Sequence, residues 1–145
     1  MAVKPIPDGY HTVTPYVIVK GAAGALDFYK KAFGATELFR MPGPDGRIGH
    51  AEIRIGNSPL MLADECPEMG AQAPQAGSKP PVSFYLYVDN VDAFVDRAVT
   101  AGAKLTRPIT NMFYGDRVAG LECPFGHSWG VATHVEDVPP DELNR

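Results

Sequence analysis

Thr14-Pro15-Tyr16-Val17-Ile18-Val19 and Val82-Ser83-Phe84-Tyr85-Leu86-Tyr87-Val88 are apolar runs about 69 residues apart, and both read as strands. Each leads through a short turn into an amphipathic segment that closes on Gly-Ala, at Gly34-Ala35 and at Gly102-Ala103. After the first run, Ala22, Ala25, Leu26, Tyr29, Ala32 and Phe33 recur every three or four residues, one face of a helix, and Gly34 is a natural stop. After the second, Val91, Phe94, Val95, Ala98 and Val99 repeat that pattern over 91–101.

Working outward, Thr36–Met41 reads as a strand and Pro42-Gly43-Pro44-Asp45-Gly46 as a turn. Ile48–Ile55 and Pro59–Ala63 read as a hairpin about Gly56-Asn57. In the second half, strands are predicted at Lys104–Arg107, Arg117–Leu121 and Trp129–His134, with Pro124-Phe125-Gly126-His127 as a turn. The expectation is a single domain over 1–145. It comprises an extended arm (1–13), one repeat (14–63), a Pro-, Gly- and acid-rich linker (64–81) that would serve as a flap, a second repeat (82–134) and a solvated tail (135–145). Strands and helices do not alternate as in a doubly wound sheet. The fold class is α+β: tandem βαβββ units forming two curved mixed sheets around a cleft, with the helices outside.

The chain has 145 residues, 45% of them hydrophobic, enough for one ordinary core. Its 14 Pro and 15 Gly suit many short strands better than a helical bundle. A formal charge of −4 without runs of Lys or Arg argues against nucleic acid as a partner. No apolar stretch approaches membrane-spanning length, and the N-terminus does not read as a signal peptide. Two cysteines, Cys66 and Cys123, make no disulfide scaffold, so a reducing cytoplasmic setting is expected.

Several stretches resemble the vicinal oxygen chelate superfamily, in its glyoxalase/bleomycin-resistance-like, PhnB-like branch. They are Asp27-Phe28-Tyr29 with Phe33-Gly34-Ala35, His50-Ala51-Glu52, Leu60-Met61-Leu62-Ala63-Asp64-Glu65, Tyr114-Gly115-Asp116-Arg117 and Pro124-Phe125-Gly126-His127-Ser128-Trp129. The resemblance covers about residues 5–142. It implies the fold above and a homodimer. It does not by itself imply a reaction, because this scaffold hosts several functions.

Enzymes of that superfamily hold a divalent metal with one side chain from the first and one from the last strand of each unit. Matching the strand patterns places these positions on Thr14, Met61, Ser83 and Gly130, and both pairs obey one 69-residue offset. A slip by one, to Leu62 or Val131, changes nothing. A divalent cation needs carboxylates or imidazoles, so this set predicts that the usual metal site is absent and that no cofactor is used.

Candidate binding residues follow from strand parity and from chemistry. His50 and Glu52, two apart, share a face. They would line a ligand pocket, form half of a displaced metal site, or make a solvent-facing pair. Tyr16, Tyr85 and Tyr87 share parity with Thr14 and Ser83, and Phe113, Tyr114 and Trp129 lie near the later strands. These rings would stack on a flat ligand or simply build core. Arg117, adjacent to Asp116, would clamp a carboxylate or phosphate of a ligand or form a structural pair that holds the loop after Tyr114, the second being favoured. Asp64 and Glu65 would draw a cation to a cavity mouth or merely start an acidic loop. His127 and Cys123 read as structural, and His11 and His134 lack supporting spacing.

The expected function is metal-free binding of a small molecule, sequestering an aromatic natural product or antibiotic, with no catalytic residue assigned. The alternative is a lyase, isomerase or dioxygenase with a relocated metal at His50 and Glu52.

Overall fold

The computed structural model describes residues 3–143; the ends of the expected arm and tail lie outside the described residues. The chain divides into two compact units, 1–75 and 76–145. The first contains β1 (Tyr16–Val19), α1 (Ala22–Phe33), β2 (Thr36–Pro42), β3 (Ile48–Ile55) and β4 (Ser58–Asp64). The second contains β5 (Ser83–Tyr87), α2 (Val91–Thr100), β6 (Lys104–Asn111), β7 (Asp116–Glu122) and β8 (Ser128–His134). Each unit is a four-stranded mixed sheet, ordered β1-β4-β3-β2 or β5-β8-β7-β6, in which the first strand lies parallel to the last and the other pairs are antiparallel.

The repeat keeps its register between the first and last strands of each unit. Tyr16 pairs with Met61 and Tyr85 with Gly130, so one offset of 69 relates both partners. Alternation then assigns faces. In the first unit Val17, Val19, Leu60, Leu62, Ala51 and Ile53 are buried, and α1 contributes Leu26, Tyr29 and Phe33 to the same core. Burial of each such large apolar side chain is worth roughly 1.5–3 kcal/mol. In the second unit Val131, Leu121 and Ala119 are buried, as are Val91, Val95 and Ala98 of α2. The residues between these point away from the helix: Tyr16, Ile18, Met61, Ala63, Glu52 and His50 in the first unit, and Tyr85, Tyr87, Gly130, Ala132, Asp116 and His134 in the second.

Helix entry uses the same offset with different chemistry. Asp64 Oδ1 accepts from the amides of Gly21 and Ala22 at 2.8 Å each, and Oδ2 accepts from Ile48 N at 2.7 Å. At the equivalent place, Thr133 Oγ1 accepts from Val91 N and donates to Val88 O, both at 2.8 Å. Each group satisfies an amide that a helix start leaves unpaired, and Asp64 adds negative charge at the positive end of α1.

Two expectations change. The strand predicted at 104–107 extends to Asn111, straight through Pro108. β6 is a sheet edge, where a missing amide hydrogen costs no ladder bond, and its register shifts around Arg107. The expected linker is built at its start. β4 runs through Asp64, Glu65 N donates to Val19 O, and Cys66 and Ala71 exchange backbone hydrogen bonds around a 3-10 turn at Pro67–Met69.

Asp64→Ala is expected to cost about 1–3 kcal/mol in urea unfolding, because three amides lose a charged acceptor at once. Thr133→Val should cost less, about 0.5–1.5 kcal/mol, since it removes one acceptor and one donor.

Candidate functional site

In the first unit, a cavity of about 520 Å³ opens beside β1 and β4. Its floor is apolar, with Tyr16, Ile18, Ile48 and Ala63, and Met69, Arg47 and Glu68 stand on its wall. The wall between 66 and 71 is the segment ordered by the Cys66–Ala71 pairing. The acid pair that would attract a cation is otherwise engaged: Asp64 holds α1, and Glu65 Oε2 accepts from Ala73 N.

Beside this cavity four polar residues form a chain. The Tyr16 hydroxyl lies 2.8 Å from His50 Nδ1, and His50 Nε2 lies 2.7 Å from Glu52 Oε2. Tyr10, from the N-terminal arm, donates to Glu52 Oε1. Phe39 packs on the His50 ring at 5.7 Å between centroids, and the Tyr16 ring at 5.3 Å. Glu52 is only 7% exposed, and burial pushes its carboxyl up from the usual range. Burial likewise raises the Tyr16 phenol, which therefore keeps its proton at neutral pH.

The second unit carries a different network on its open face, built around Tyr85, the counterpart of Tyr16. Asp116 Oδ2 accepts from the hydroxyls of Tyr85 at 2.9 Å and Tyr87 at 3.0 Å. Oδ1 lies 2.9 Å from His134 Nδ1, and His134 Nε2 lies 2.7 Å from Asp137. Burial works against charge on Asp116, yet the hydrogen bonds from His134, Tyr85 and Tyr87 hold its carboxyl below the usual range. The same bonds act on the partners. Asp116 and Asp137 raise the His134 imidazole, and burial followed by Asp116 raises the Tyr85 phenol. Gly115 lets the following chain close in. A side chain there would collide with Glu136 O, and Gly115 O accepts from Val135 N and Glu136 N.

Of the residues singled out from sequence, Tyr16, His50 and Glu52 come together in the first unit, and Tyr85 and Tyr87 in the second. Tyr114 is close enough to raise both phenols of that pair, and Phe113 packs edge-on to Tyr114 at 5.3 Å. Trp129 and Arg117 fall elsewhere, and their placement corrects the stacking and anion-clamp readings. Trp129 is 2% exposed and packs on Phe84 at 4.7 Å in the core, one residue out of phase with the open face. Arg117 points to the helix side and pairs twice with Asp92 of α2, at 2.8 and 2.9 Å. Burial keeps His127 neutral beside Phe84. Tyr10 and Asp116 complete the networks, and neither was singled out as a binding residue. Tyr10 sits in an irregular arm, and Asp116 showed only as the neighbour of Arg117.

The positions matched to the superfamily's metal ligands are filled in a specific way. Ser83 and Gly130 lie on the open face of the second unit, Gly130 directly opposite Tyr85. A Cβ at Gly130 would meet Tyr85 Cδ2 at 2.9 Å, so the tyrosine ring occupies the space that a side chain would take. Met61 stands opposite Tyr16 in the same relation. Thr14, Met61, Ser83 and Gly130 do not fit a divalent cation.

Two mixed βαβββ sheets, each with a helix on one face and a polar network on the other, define a glyoxalase-type α+β protein. A model of the Glyoxalase/Bleomycin resistance protein/Dioxygenase superfamily matches residues 10–131, and the chain belongs to that superfamily. It is similar to the uncharacterized protein Mb0911c of Mycobacterium bovis, 40% identical over 90% of this chain and 88% of that one. Its fold resembles the PhnB protein of Bacillus cereus, with TM-score 0.65 and 16% identity over 85% and 99% of the two chains. It also resembles the fosfomycin resistance protein FosX of Listeria monocytogenes, solved with Mn(II) and 1S,2S-dihydroxypropylphosphonic acid, with TM-score 0.67 and 12% identity over 93% and 96%.

Gly130→Ala is expected to cost about 1–3 kcal/mol by forcing the Tyr85 ring aside. In a Tyr85→Ala background the same change should be neutral or stabilising, so a double-mutant cycle in urea reads the contact directly.

His134 has a raised pKa in the folded chain, so its contribution to stability is complete below its unfolded value of about 6.5 and fades as pH rises through the folded value. His134→Gln should therefore lower the urea midpoint at about pH 5.5 and much less at about pH 9, with Asp116 ionised throughout.

Proposed function

We propose that the protein binds a small organic molecule in the cavity of its first unit without recruiting a divalent metal, and so sequesters an aromatic natural product or antibiotic. The observation that carries this reading is the cavity itself: about 520 Å³, of the size that takes a drug-like ligand, with an apolar floor and a few polar groups. Tyr16 would present the stacking surface there. Tyr85, Tyr87, Phe113 and Tyr114 would offer a second one on the open face of the other unit. The donor chemistry at the four superfamily positions supports the metal-free part.

A relocated metal at His50 and Glu52 is less well supported. Both imidazole nitrogens and both carboxylate oxygens already have partners within the protein. No group of three His, Cys, Asp or Glu is placed to hold a metal among the described residues. The proposal includes a homodimer and a cytoplasmic setting. No helix among the described residues is long and apolar enough to cross a membrane.

A thermal-shift panel of aromatic antibiotics and metabolites on EDTA-dialysed protein tests the reading. A ligand at 100 times its dissociation constant should add about 2.7 kcal/mol of stability. Met69→Arg, at an exposed wall position, should weaken that ligand about tenfold or more. A shift that appears only after Mn(II) or Zn(II) is added would overturn the metal-free reading.

A further inference from the structure

His50 is held at both ring nitrogens, and the chemistry of its partners orients the chain. An ionised Glu52 accepts from Nε2–H, so Nδ1 carries the lone pair and the Tyr16 phenol donates to it. Tyr10 donates to the other oxygen of Glu52 and keeps the carboxylate in place. The order is hydroxyl, imidazole, buried carboxylate. In that order a hydroxyl proton can pass to the ring while the carboxylate stabilises the imidazolium. Tyr16 is the member of this array that lines the cavity. Arg47 lines the same cavity, and its ion-pair contact with the exposed Asp45 is a loose 3.9 Å. A proton acceptor and a guanidinium therefore bound one space; of the carboxylates that also line it, Asp64 and Glu65 are held by backbone amides and Glu68 faces Arg47.

We infer that this array recognises a small organic acid of the phenol or enol class and binds it as its anion. The ligand's O–H proton passes to Tyr16 Oη as the Tyr16 proton passes to His50 Nδ1. The ligand oxygen keeps the electron pair, and its charge is balanced by Arg47. One proton leaves the ligand and one arrives on His50; Tyr16 gives up one proton and takes one, and no other bond changes. The inference rests on the cavity being the binding site and names the chemistry of its occupant.

The probe is p-nitrophenol, whose phenolate absorbs in the visible while the phenol does not. Binding is followed by equilibrium dialysis and ionisation by the phenolate band, in buffer about one unit below the probe's own pKa. On the wild-type protein the band should grow as the probe binds. The bound probe's apparent pKa should fall by about one unit, a tenfold change in ionisation ratio. Tyr16→Phe, His50→Gln and Glu52→Gln, all close to isosteric, should bind the probe with its ionisation returned to that of free p-nitrophenol. Arg47→Gln should weaken binding of the anion.

Wild-type binding without growth of the phenolate band overturns the relay and leaves the cavity as a binding site. An unchanged band shift in all three array variants also overturns the relay. No p-nitrophenol in the dialysis overturns the inference, and a panel without any thermal shift then overturns the cavity reading too.

Discussion

The residue near the end of the last strand ties down the start of the helix in both units, and the open face depends on it. Asp64 gathers the amides of Gly21, Ala22 and Ile48, while Thr133 links Val91 to Val88. A helix held at that point can cover only one face of its sheet. The other face is left to whatever the strands display there, and strand parity decides what that is. The cavity, the Tyr16–His50–Glu52 chain and the Asp116 network are all consequences of which side the helix takes. Asp64 takes two amides at the start of α1 where Thr133 takes one at α2, because α1 begins after Gly21, in the left-handed region, with no capping side chain of its own, whereas Asn90 caps α2 through Ala93.

Periodicity made the fold legible because both units use the simplest patterns. Alternation marks the strands, three- and four-residue spacing marks the helices, and Gly34 marks a helix end at φ 69. The errors lie where tertiary context overrides local chemistry. Pro108 reads as a stop, yet an edge strand tolerates it. The 64–81 stretch reads as a loop, yet its first residues pair with one another and with Val19. Parity correctly grouped Tyr16, Tyr85 and Tyr87, and His50 with Glu52. Trp129 was placed by nearness to later strands alone, and nearness says nothing about which face a side chain takes. Tyr10 could not be read at all, since an arm without periodicity has no predictable facing.

The open face of the second unit shows what fills a position that strand matching assigns to a superfamily metal ligand. Gly130 removes a side chain, and the Tyr85 ring settles over the vacated space with its hydroxyl on Asp116. The glycine and the tyrosine are thus one arrangement rather than two independent substitutions. A carboxylate introduced at position 130 would have to displace the Tyr85 ring before it could reach a cation.

The two networks also differ in what they can do, although they start from tyrosines at equivalent positions. In the second unit the phenol of Tyr85 faces a carboxylate held ionised by three donors. That carboxylate anchors the phenol's proton, and the pair is electrostatically settled. In the first unit the phenol of Tyr16 faces an imidazole, the one side chain whose ordinary pKa lies near neutrality, and the imidazole faces a carboxylate that burial leaves short of solvent. A proton arriving on His50 would balance that buried charge, whereas a proton arriving on Asp116 would compete with the hydrogen bonds it accepts from Tyr85, Tyr87 and His134. The duplication therefore yields one network in which the tyrosine faces a carboxylate and one in which it faces an imidazole, and the second of these stands beside the cavity.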